Sequence, residues 1–136
     1  MSQENVETFK RGLEAYNRRD AEAMLADIDP EVEWYPALLV MLGGEATVYR
    51  GHEGVRAMLR DVTRPLAEIH VEFSDIRDLG EQIVAIGCIR TRGKASGAAT
   101  ESALEYVADF RDGKVARIRT YLCRLVPFGK PLSCRT

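Results

Sequence analysis

The sequence has few cysteines, no long apolar run and no surplus of basic charge. The three cysteines, Cys88, Cys123 and Cys134, are odd in number and form no CxxC pair. That excludes a disulfide framework and fits a reducing, cytoplasmic setting. The longest purely apolar run, Ala37 to Leu42, has six residues, far below the ~20 that span a bilayer. Lys+Arg total 19 against 21 Asp+Glu, a net charge of −2, so no global basic field draws in nucleic acid. The opening Met-Ser-Gln-Glu-Asn lacks the basic-then-apolar layout of a secretion signal. There is no Walker loop, no GxGxxG and no Ser-His-Asp order. The two histidines, His52 and His70, stand apart from any cysteine or carboxylate at ligand spacing. Neither a metal nor a tightly bound nucleotide cofactor is expected.

What is present is an ordinary globular balance over 136 residues, 46% hydrophobic and 29% charged. One domain of this size typically buries roughly two-thirds of its unfolded surface, enough for a full core. Charge is unevenly placed. Residues 1–35 hold nine acids and four bases, whereas residues 114–136 hold six bases and no acid. Two solvated faces are the default reading of the split, with contact between the chain ends or between two copies as the alternative.

The first half reads as helical. Val6, Phe9, Leu13 and Tyr16 recur at three and four, which predicts an amphipathic helix from about Gln3 to Arg18. Asp20 is placed to cap a second short helix carrying Met24, Leu25 and Ile28, stopped by Asp29-Pro30. Val32 to Tyr35 reads as a strand and residues 36–48 as a loop. Val55, Met58, Leu59 and Val62 give a third helix that ends before Pro65. The second half reads as antiparallel sheet: Ile69, Val71 and Phe73 alternate with polar residues, followed by strands at 82–92, 104–110 and 114–122. Turns are expected at 79–81, 93–100 and 111–113. Helices first and strands afterwards predict an α+β fold.

The last hairpin allows two registers. A plain two-residue turn at Asp112-Gly113 would turn Tyr106 the same way as Arg119. A three-residue loop, Arg111-Asp112-Gly113, puts Leu104, Tyr106 and Phe110 on one face with Ile118 and Leu122. It also sets Glu105 opposite Arg119 and Asp109 diagonal to Arg117, pairs worth roughly 0.2–1 kcal/mol each. The three-residue loop is the expectation.

Several segments now combine. They are Ala15-Tyr16-Asn17-Arg18-Arg19-Asp20, Asp29-Pro30-Glu31-Val32-Glu33-Trp34, Tyr49-Arg50-Gly51-His52-Glu53-Gly54-Val55, and Arg111-Asp112-Gly113-Lys114-Val115 with Ile118-Arg119-Thr120-Tyr121-Leu122. Over about residues 3 to 125 their order and spacing resemble the SnoaL-like branch of the nuclear transport factor 2-like superfamily, with its ketosteroid-isomerase-like fold. The resemblance implies a curved, mostly antiparallel sheet wrapped on three helices of the N-terminal half, a cone with an internal apolar pocket, and a homodimer through the outer sheet face. It implies a SnoaL-like domain over residues 1–125 and a C-terminal tail over residues 126–136.

The family hosts many chemistries, so function rests on the pocket residues. Matching motifs puts Gly12 where ketosteroid isomerases carry a tyrosine, Trp34 at their base and Tyr106 at their second aspartate. Residues 82–100 contain no Asp or Glu and Cys123 stands at the terminal aspartate of epoxide hydrolases of the limonene type. Neither chemistry is expected in its usual form.

Tyr16 and Tyr106 either hold a ligand oxygen or are core tyrosines with internally paired hydroxyls. Trp34, the only tryptophan, is either an apolar wall for a flat ligand or plain core. Arg90 and Arg92 share a face, with solvent the default and an inward anion site the alternative. His52 sits at a helix start, where capping outweighs catalysis, and His70 points outward. Cys123 reads as an inert thiol. Residues 37–42 before Gly43-Gly44 form a flap, a short core helix or a dimer contact.

Tyr16, Trp34, Met58, Leu104, Tyr106, Ile118 and Leu122 are therefore expected to line one cavity. It would take a small, mostly apolar molecule with one or two oxygens, as a binding protein or an isomerase, cyclase or hydrolase. The alternative is a non-catalytic dimeric module with a residual cavity. No catalytic residue is assigned.

Overall fold

The N-terminal periodicity becomes helix α1 (Ser2–Asn17), whose inward stripe carries Asn5, Phe9, Gly12 and Tyr16. Helix α2 (Ala21–Leu25) starts at Asp20, whose carboxylate accepts from the Ala23 N–H at 3.1 Å. It buries Met24 and Leu25 but stops short of Ile28. Contrary to expectation, Asp29-Pro30 does not end the helix. Both residues lie within strand β1 (Ile28–Tyr35) at an irregularity between Ile28 and Glu33. A proline without an N–H fits such a break in the ladder. After the short strand β2 (Tyr49–Arg50), helix α3 (Gly51–Thr63) buries Val55, Met58, Leu59 and Val62. The computed structural model describes residues 2–37, 48–122 and 126–127. Most of the expected flap, Cys123, Cys134 and most of the tail lie outside them.

The remaining strands are β3 (Leu66–Asp78), β4 (Gln82–Gly93), β5 (Ala99–Arg111), β6 (Lys114–Leu122) and β7 (Val126–Pro127). They form one sheet in the order β2-β1-β6-β5-β4-β3, with β7 pairing β5 at Glu101 and Thr100. Strand β5 thus begins inside the expected 93–100 turn, and two residues of the expected tail join the sheet. All pairings are antiparallel except β1 with β6. The fold is α+β, the described residues forming three helices on a curved sheet. Among the described residues, no helix is long and apolar enough to cross a membrane.

The sheet bends where Gly87 opposes Phe73, beside an irregularity between Phe73 and Asp75. A Cβ at Gly87 would stand 1.9 Å from the Glu72 carbonyl oxygen and 2.6 Å from the Phe73 Cα. Only glycine permits this approach of β3 to β4.

The β5–β6 hairpin corrects the expected register. Arg111 pairs with Lys114, so the turn has two residues, Asp112 and Gly113, both with positive φ (53° and 77°). This is the twist-compatible hairpin turn for which Asp-Gly is suited. Ala116 is then an extra residue, because Phe110 faces Val115 while Asp109 faces Arg117. The one-residue slip restores the inward phase of β6 that a three-residue loop would have given. Leu104, Tyr106 and Phe110 are buried with Ile118 after all. The expected charge pairs are not those formed. Glu105 faces Tyr121, Asp109 pairs with Arg119 at 3.4 Å, and Arg117 pairs with Glu33 at 3.3 Å.

Candidate functional site

Between α1 and the inner sheet face lies a narrow, open-mouthed hollow with a cavity volume of about 40 Å³. Helix α1 supplies Thr8, Phe9, Gly12, Leu13 and Tyr16, the α2–β1 junction supplies Met24, Asp27 and Ile28, and the sheet supplies Trp34, Phe73, Tyr106, Val115 and Ile118. A second, smaller hollow of about 20 Å³ lies under α3, lined by Met58, Val62, Ile89, Leu104, Thr120 and Leu122 with Pro36 and Ala37. Tyr16, Trp34 and Tyr106 belong to both linings. The seven expected residues thus meet in two adjoining compartments, not one, with three rings as the wall between them. Ile118 faces the first, Met58, Leu104 and Leu122 face the second.

The rings are arranged tightly. Tyr16 and Trp34 are near-parallel at 16° with centroids 6.5 Å apart, and Tyr106 meets Trp34 edge-on at 86° and 6.3 Å. Phe9 and Phe73 extend the cluster on the α1 side, Phe73 lying 5.2 Å from Tyr106. Such edge and offset geometries are the ones aromatic quadrupoles favour.

All three wall residues are more than nine-tenths buried. Even so, no described residue pairs with the Tyr16 hydroxyl, the Tyr106 hydroxyl or the Trp34 indole N–H. Among the described residues the sealed side-chain atom without a partner is Arg119 Nε, so the three donors are groups that border the hollows and are not sealed off without a partner. Burial pushes both phenols above the ordinary tyrosine range, and Tyr16 adds to the effect on Tyr106. Both therefore stay neutral O–H donors at physiological pH.

Polar side chains at the mouth are already engaged. The Arg11 guanidinium spans both Asp27 oxygens, Nε to Oδ2 at 3.2 Å and Nη2 to Oδ1 at 3.1 Å, and also donates to Thr8 Oγ1 at 3.2 Å. That carboxylate raises the Arg11 pKa, chiefly through the hydrogen bond. Neither the notch at Gly12 nor the Asp27 contact was expected. Glycine gives no signal in an apolar stripe, and residues 11 and 27 meet only because α2 folds back on α1.

Other candidates fall outside the hollows. The His52 Nε2–H donates to the Ile28 carbonyl at 2.9 Å, tying the start of α3 to β1; a carbonyl can only accept, which places the proton on Nε2. His70 is exposed beside Glu72. Arg90 and Arg92 point away from the core: Arg90 pairs with Glu72 and Glu101, Arg92 with Glu68 at 2.6 Å. A trough near the outer rim, walled by Glu31, Glu33, Glu81, Asp109 and Asp112 with Arg111 and Arg117, is larger but charged and open. Among the described residues no cluster of His, Cys, Asp or Glu is placed to hold a metal.

A cone of this topology with an aromatic interior is a nuclear transport factor 2-like fold. The chain belongs to the SnoaL-like domain family, whose sequence profile matches residues 9–118. Among solved structures it resembles a nuclear transport factor 2-like protein of unknown function from Burkholderia pseudomallei, with 26% identity, 88% of this chain and 91% of that one covered, and a TM-score of 0.79. It also resembles TerC, co-crystallised with polyporic acid (23% identity, 88% and 92% covered, TM-score 0.77). A protein of ketosteroid-isomerase-like fold from Catenulispora acidiphila, in complex with trimethylamine, shares 10% identity over 85% and 84% of the two chains with a TM-score of 0.74. The search of curated proteins finds no match.

Proposed function

We propose that the two hollows form a binding site for a small, mostly apolar molecule carrying one or two acceptor oxygens. The observation that carries this reading is the dividing wall, where Tyr16, Trp34 and Tyr106 border both hollows with donors that no described residue engages, in a mostly apolar lining. A ligand oxygen would satisfy them while its body covers the apolar lining. That TerC is co-crystallised with polyporic acid, and the Catenulispora protein with trimethylamine, supports a cone that admits small organic molecules.

Neutral phenols and an indole N–H polarise a carbonyl, the electrophilic half of an isomerase or cyclase step. A hydrolase needs a base to activate water. Asp27, the carboxylate on the lining among the described residues, is held by Arg11. Binding with carbonyl polarisation is therefore favoured over hydrolysis.

The test is a thermal-shift and Trp34-fluorescence screen with small ketones and phenols. A true ligand at ~100 Kd stabilises by about 2.7 kcal/mol. Tyr106→Phe is expected to weaken binding by up to ~10-fold, one hydrogen bond's worth, with stability within ~0.5 kcal/mol of wild type. Full binding by Tyr106→Phe together with a stability loss of ~1 kcal/mol would show an internally paired core tyrosine instead.

A further inference from the structure

Gly12 sits on the inward stripe of α1, in line with Phe9 and Tyr16, and lines the first hollow. A Cβ built there meets no heavy atom within 4 Å. Mid-helix glycine typically costs ~1 kcal/mol relative to alanine, and nothing in the packing requires it. Its positive contribution is the empty volume it leaves at the hollow's α1 wall.

The polarity of that volume is set by its neighbours. Phe9, Leu13, Met24, Ile28 and Val115 surround it with hydrocarbon. The two polar side chains on the same lining, Thr8 and Asp27, both receive hydrogen bonds from Arg11. The donors that no described residue engages lie on the Tyr16–Trp34–Tyr106 wall, whose Tyr16 is one helical turn further along α1 from Gly12. A ligand oxygen on the Gly12 side would find the Thr8 hydroxyl as its one side-chain donor among the described lining residues; at the wall it finds three.

We infer that Gly12 is a specificity-determining residue, leaving room for the hydrocarbon end of an amphiphilic ligand whose oxygen-bearing end is held at the Tyr16–Trp34–Tyr106 wall. The inference rests on the hollows being a ligand site. It adds the ligand's orientation and the residue that limits its apolar length.

The experiment uses 2-heptanone, 2-nonanone and 2-undecanone, with affinities read from Trp34 fluorescence, the protein's single tryptophan. In the wild type, affinity should rise roughly fourfold per added methylene until the hollow is full. Gly12→Leu should flatten that rise, so that 2-undecanone binds no better than 2-heptanone. Gly12→Ala, which adds one methyl and strengthens the helix, should reduce affinity for the longest ketone only. Circular dichroism and melting curves establish that each variant is folded; should Gly12→Leu not fold, Gly12→Ala alone decides. Tyr106→Phe should weaken all three ketones by one common factor and leave the chain-length slope intact.

An unchanged slope in Gly12→Leu, or in a folded Gly12→Ala tested alone, overturns the inference but leaves the binding site standing. So does the reverse pattern, in which Tyr106→Phe removes the slope and the Gly12 variants shift all ketones equally. If the wild type binds none of the three, by fluorescence or by melting, the ligand-site reading fails and this inference falls with it.

Discussion

Asn17 and Val71 exchange two hydrogen bonds: the Asn17 Nδ2 donates to the Val71 carbonyl and the Val71 N–H donates to Asn17 Oδ1, both at 2.9 Å. Val71 lies on β3, the strand at the end of the sheet. The side-chain amide thus plays the part of a neighbouring strand, and Arg19 continues it by donating to the Ala67 carbonyl at 2.9 Å. An otherwise open edge is partly closed by the end of α1.

Asn17→Ala is accordingly expected to cost about 2 kcal/mol in urea unfolding, since it strands a donor and an acceptor together. Asn17→Asp should not rescue it, because a carboxylate accepts from the N–H but repels the carbonyl. A loss below ~0.5 kcal/mol for either variant would show that water replaces the amide without penalty.

The tyrosines predict the alkaline limit of stability. Burial, reinforced by the hydrogen bond from Tyr49 to Asp61 at 2.6 Å, pushes the Tyr49 pKa up to about 12. Tyr16 and Tyr106 are raised by burial. A group that holds its proton more tightly when folded contributes stability that is complete below its unfolded pKa of ~10 and lost as pH rises through the folded value. Urea midpoints should be steady near pH 9 and fall steadily towards about pH 11.5. A flat profile over that interval would contradict the shifts.

Gly87→Ala should be among the most damaging single-methyl changes in the chain. The new Cβ would collide with backbone, not with a side chain able to swing away. A loss of about 3 kcal/mol or more is expected on thermal unfolding. Gly80→Ala, where a Cβ meets nothing but φ is +92°, isolates the conformational cost alone.

How much of this was legible beforehand depended on how local each signal was. The stripes of α1 and α3 and the full extent of β6 follow from neighbouring residues, and their periodicity survived folding. Ala116 did not announce itself: alternation along 114–122 looks regular until the strand must pair with β5. The face that carries Tyr106 was right although the turn was wrong, because the slip at Ala116 restores the parity. Tyr16, Trp34 and Tyr106 were identifiable as inward-facing. Their role as a wall between two spaces was not, since it depends on three elements converging.

Assembly can be tested on the outer face. Val107 is half-buried and Tyr121 half-exposed there, although the charge pairs around them differ from those expected from sequence. Their apolar surface amid charge suits a self-matching two-fold contact. Light scattering at about 100 μM should give twice the chain mass, and Tyr121→Asp should reduce it. A monomeric wild type at that concentration rejects the contact.

The clasp of Arg11 on Asp27 bears on kinetics. With the carboxylate at the mouth neutralised by its partner, the entrance presents little net field to an approaching molecule. Capture of a neutral compound should then proceed at the same rate in dilute buffer and in molar salt. The rate of arrival then reports on diffusion to the mouth and fit within it instead of on long-range attraction.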